Sequence, residues 1–113
     1  MALLKGTLDV LVLKAVSFGP MHGFEITRWI EDGSRGEIPV EGAALLQALH
    51  RLEERWLLVG EWGVTENNRR ARYYSLTPAG RTHLKAETES LRNSMAALGQ
   101  LLAARSAASP AGR

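Results

Sequence analysis

Apolar side chains open the chain in a helical rhythm. Leu4, Leu8, Leu11 and Ala15 recur along one face of residues 3–17, while Val10, Val12, Leu13 and Val16 cover the others. The pattern predicts a first helix that is apolar nearly all round. One face of such a helix can enter its own core, and the remainder calls for a second packing partner, which a two-fold dimer supplies. Phe18-Gly19-Pro20 then breaks the run as a turn.

A second helix is predicted from about His22 to Asp32, with Ile26 and Ile30 on one face, stopping at Gly33-Ser34-Arg35-Gly36. Beyond Pro39 a third helix is expected over roughly Glu41 to Arg55. Its Leu45, Ala48, Leu49 and Leu52 form a buried stripe, and Ala43, Gln47, His50 and Glu54 project from the opposite side, with Leu46 and Arg51 on the flanks.

The segment from Trp56 to Val64, a polar tip at Asn67-Asn68, and Arg72-Tyr73-Tyr74-Ser75-Leu76 read as two antiparallel strands and a turn. Thr77-Pro78 supplies an N-cap with proline at the first helical position, so a fourth helix starts there despite Gly80. Leu84, Leu91, Met95, Leu98 and Leu102 give it a coiled-coil-like seam, with Thr88 filling the gap. From Ser106 apolar periodicity ends, and a disordered tail over 106–113 is expected.

The fold class predicted is therefore mainly α with a small β-hairpin: a winged helix-turn-helix over residues 1–77, followed by a long C-terminal dimerisation helix over 78–105. At 113 residues the chain has room for one core. A hydrophobic fraction of 45% with 23% charged residues fits a folded domain.

With no cysteine, disulfides, thiolate zinc sites and cysteine nucleophiles are excluded. His22, His50 and His83 fall on three separate elements without ligand spacing, so no metal or cofactor is expected. There is no set of nucleophile, base and orienter, and the glycines at 33 and 36 lack the lysine of a phosphate loop, so the chain does not read as an enzyme. Lys5 and Asp9 interrupt the N-terminal apolar run, which argues against a signal peptide and for a cytoplasmic location.

A net charge of +2 says little about partners, but its distribution says more. Arg69, Arg70 and Arg72 cluster with Asn67 and Asn68, the local footprint that phosphate binding needs.

These residues resemble the PadR family of bacterial regulators. The resemblance rests on Leu4-Lys5-Gly6-Thr7-Leu8-Asp9, Met21-His22-Gly23-Phe24-Glu25-Ile26, Ala48-Leu49-His50-Arg51-Leu52-Glu53 and the run from Arg69 to Gly80. It implies a transcriptional repressor whose C-terminal helix dimerises against the first helix of its partner, in the subtype with a single short C-terminal helix. It also leaves room for a small-molecule effector. The chain departs from the family at Ala43-Ala44-Leu45-Leu46-Gln47, where members usually show glycine, a small residue, leucine, tyrosine and proline.

The expected partner is an inverted-repeat duplex bound by a homodimer. Ala43, Gln47, His50 and Arg51 are the candidate contacts on the recognition helix, and Asn68, Arg69, Arg70 and Arg72 those on the wing. Leu4, Leu8, Leu11, Leu84, Leu91, Met95, Leu98 and Leu102 are the candidate dimer residues. Trp56 reads as core, whereas Trp62 packs on the third helix or lines the dimer interface. The rival reading is a winged helix that binds another protein and has no DNA role.

Overall fold

The computed structural model describes residues 6–106, so Leu4 and the expected tail from residue 107 onward lie outside the described residues. Helix α1 spans Thr7–Val16 behind Gly6, whose φ of 86° suits a residue without a Cβ. Val12, Leu13, Ala15 and Val16 are buried, and Leu8, Val10 and Leu11 pack partly against the same core.

A two-residue strand β1, Met21–His22, precedes helix α2, Gly23–Gly33. His22 caps α2: its Nδ1 accepts from the Glu25 N–H at 3.3 Å, and the Glu25 carboxylate accepts from the His22 N–H at 3.1 Å. The loop that follows is tied down, since Glu31 accepts from the Val40 N–H at 2.9 Å and Ser34 Oγ from the Ile38 N–H at 3.0 Å. Helix α3, Gly42–Glu54, buries Leu45, Ala48, Leu49 and Leu52, the stripe read from the sequence.

Strands β2, Leu58–Val64, and β3, Arg70–Leu76, form the hairpin, and β1 pairs with β3 through Met21 opposite Tyr74 and His22 opposite Tyr73. The sheet is therefore three-stranded, in the order β1-β3-β2. Two residues are too few for any period, which is why β1 left no trace in the pattern.

Helix α4, Pro78–Ala103, starts at Thr77, whose hydroxyl accepts from the Gly80 N–H at 2.9 Å. Its proximal part belongs to the domain core. Leu84 is 9% exposed and sits in the cluster with residues of α1, α2 and α3, so its assignment to a dimer seam is corrected: contacts within the chain already cover it. Leu8 and Leu11, by contrast, are only half-buried on their own core. The distal part of α4 carries exposed Met95, Leu98, Leu101 and Leu102, and the molecule extends 61 × 29 × 21 Å.

Candidate nucleic-acid interface

The end of α3 is set by a chain reversal in which Trp56 adopts φ 59°. Trp56 N–H donates to the Glu53 carbonyl at 3.0 Å and Leu57 N–H to the Leu52 carbonyl at 2.9 Å, the paired bonds of a Schellman cap. That geometry turns the Trp56 side chain out to 73% exposure, correcting the expectation that it is core. The core position at this corner is filled instead by Leu57, which is buried.

On the outer side of α3, Ala43, Leu46, Gln47, His50 and Glu54 are exposed together. Arg51, expected among the DNA contacts, is engaged elsewhere. Its Nη2 donates to Asp9 Oδ1 at 2.7 Å and its Nε to Oδ2 at 3.3 Å, a two-pronged bond that pins α3 to α1. The Asp9 hydrogen bond holds the Arg51 guanidinium above its ordinary pKa range.

The wing turns through Thr65–Arg69. Thr65 N–H donates to the Arg69 carbonyl at 2.8 Å, Asn68 N–H to the Thr65 carbonyl at 2.9 Å, and Asn68 takes φ 59°, a conformation asparagine tolerates better than most residues. Asn68, Arg69 and Arg70 are all exposed there.

Strand register decides where the other arginine goes. Leu58, Gly60, Trp62 and Val64 share a face with Leu76, Tyr74, Arg72 and Arg70, and Leu58 and Tyr74 place the proximal end of this face in the core. Arg72 accordingly reaches α3, where its Nη2 donates to Glu53 Oε2 at 2.7 Å. This removes Arg72 from the wing-tip set, because its charge is matched by Glu53 and it does not share the hairpin turn with Asn68 and Arg69. The Glu53 hydrogen bond raises the Arg72 pKa, and burial raises that of the neighbouring Tyr74 phenol.

Trp62 lies on this same face at 58% exposure, with Arg70 4.4 Å and Arg72 5.8 Å from its ring centroid. Trp62 is linked to α3 through Arg72, which lies over its ring and donates to Glu53. The signal that could have found this is the register of the hairpin, which sets Trp62 opposite Arg72.

Among the described residues no group of three His, Cys, Asp or Glu gathers as a metal site, and no helix is long and apolar enough to cross a membrane.

Comparison with known proteins agrees with this architecture. A transcriptional regulator from Clostridium thermocellum superposes with a TM-score of 0.77 at 24% identity, covering 85% of this chain and 93% of that one. A PadR family transcriptional regulator from Eggerthella lenta gives 0.73 at 28% identity, with 88% and 84% covered. Bacillus subtilis PadR in complex with operator DNA gives 0.64 at 16% identity, with 72% and 46% covered. The model of the transcriptional regulator PadR-like family, a family of regulators and not of enzymes, matches residues 12–86, and the chain belongs to that family.

Proposed function

We propose that the chain is a transcriptional repressor that binds an inverted-repeat operator as a homodimer. The observation that carries this reading is the Glu53–Arg72 bond, which joins the wing to the helix bearing Ala43, Gln47 and His50. Two sets of groups are thereby held in one fixed relation: side chains able to reach base edges on α3, and the cations Arg69 and Arg70, which have no ion-pair partner among the described residues and are able to reach phosphates. The Bacillus subtilis relative bound to operator DNA supports the same use of this fold. The exposed row Met95, Leu98, Leu102 on distal α4 supports the dimer, because monomers rarely leave contiguous apolar surface open to water.

Release by a small-molecule effector completes the proposal. An open groove of about 440 Å³ beside α2 offers such a compound the aromatic rings of Phe24 and Trp29 together with the charged groups of Glu25, Arg28 and Asp32.

Selection of bound duplexes from a random pool tests the central claim, with an enriched inverted repeat as the expected outcome. Replacing Arg69 and Arg70 together with Ala is expected to weaken all duplexes alike and to shrink the log-log salt slope by about 0.9 for each phosphate no longer neutralised. Absence of retention on any duplex at low salt overturns the reading in favour of a protein-binding winged helix.

A further inference from the structure

The three arginines of the wing differ in what restrains them. Arg69 has no side-chain partner among the described residues and Arg72 is neutralised by Glu53, whereas Arg70 is restrained without being neutralised. Its restraint is the face of Trp62, at 4.4 Å from the ring centroid. Stacking uses the guanidinium face and leaves its in-plane N–H donors open, so an arginine held this way can still offer a phosphate two parallel hydrogen bonds.

Trp62 is itself held. Arg72 lies over the same ring, is bonded to Glu53 of α3, and occupies space that a Cβ at Gly60 would overlap. A chain of contacts thus runs from α3 through Glu53, Arg72 and Trp62 to Arg70.

We propose that Trp62 is a positioning residue for the wing: its indole is the platform that presents the Arg70 guanidinium to a DNA phosphate in fixed relation to α3. The proposal rests on the DNA-binding reading above. A free arginine loses rotamer freedom when it docks on a phosphate, and a stacked one has already lost most of it. Loss of the platform is therefore expected to cost affinity through Arg70 and not through the fold, since Trp62 is mostly exposed.

The test compares wild type, Trp62→Leu, Trp62→Phe, Arg70→Ala and the Trp62→Leu/Arg70→Ala double variant on a labelled duplex of mixed sequence across a salt series, with melting curves as the control for folding. Trp62→Leu is expected to bind about two- to fivefold more weakly, with a salt slope lowered toward that of Arg70→Ala, and Trp62→Phe to recover part of the loss. The double variant should bind no more weakly than Arg70→Ala alone. In the free protein, the Arg70 Hε resonance should carry a ring-current shift that Trp62→Leu abolishes. Wild-type affinity in Trp62→Leu, or a loss that adds in full to that of Arg70→Ala, overturns this proposal alone. Failure of the wild type to bind the duplex at low salt overturns it together with the DNA-binding reading.

Discussion

Gly80 and Gly99 lie in one helix and meet opposite surroundings. A Cβ at Gly80 would overlap the backbone carbonyl of Leu57 and crowd Leu76, whereas a Cβ at Gly99 meets nothing within 4 Å. The proximal part of α4 is wedged against the corner between α3 and β2, with Thr77 N–H donating to the Leu57 carbonyl at 3.2 Å and Thr77 Oγ1 to the Trp56 carbonyl at 2.7 Å. The distal part leaves Met95 at 55% exposure and Leu102 at 86%. One amphipathic helix is thus divided along its length: its first turns complete the domain core, and the rest leaves apolar side chains exposed. The half-buried Leu91, beside Thr7 and Val10 of α1, marks the transition.

The largest expected effect breaks the distal part alone. Met95→Asp with Leu98→Asp places two charges where the proposed dimer buries apolar side chains worth about 1.5–3 kcal/mol each. Sedimentation is expected to show monomers whose circular dichroism still reports a folded winged helix. A dimer that survives the double substitution removes this row from the interface.

The two roles of α4 are unequally visible in the sequence. The stripe of α3, the cap at Thr77 and the hairpin are legible because each depends on spacing within one element. The division of α4 is not, because Leu84 and Leu98 occupy equivalent positions in the seam and differ only in whether the domain core lies above them. The Asp9–Arg51 and Glu53–Arg72 pairs are hidden for the same reason: their partners are 42 and 19 residues apart. Composition makes Arg72 look like a wing-tip cation, and only the strand register turns it toward α3.

A smaller effect separates the two glycines directly. Gly80→Ala gains up to about 1 kcal/mol in helix propensity, but overpacking against a backbone carbonyl costs about 3 kcal/mol, so net destabilisation by about 2 kcal/mol is expected in thermal or denaturant melts. Gly99→Ala has only the propensity gain and should stabilise by about 0.5–1 kcal/mol. If Gly99→Ala instead lowers stability or dissociates the dimer, a partner helix approaches closely at that position, and the glycine marks the centre of the interface.

The smallest effect concerns the corner that receives the head of α4. Trp56 holds the left-handed position of the α3 cap, where a side chain with a Cβ costs about 1–2 kcal/mol and glycine is the usual occupant. Against this, glycine loses about 0.5–1 kcal/mol more backbone entropy on folding, and the buried quarter of the indole contributes little. Trp56→Gly is therefore expected to stabilise the protein by about 0.5 kcal/mol, a rise of about 2–4 °C in Tm for a chain of this size. The two hydrogen bonds from Thr77 go to the backbone carbonyls of residues 56 and 57, so the wedge on proximal α4 survives the substitution. Destabilisation in a melt would show that the exposed Trp56 ring is covered by contacts that α4 or a second copy makes in solution. The corner would then count with the distal helix as interface, and not with the core.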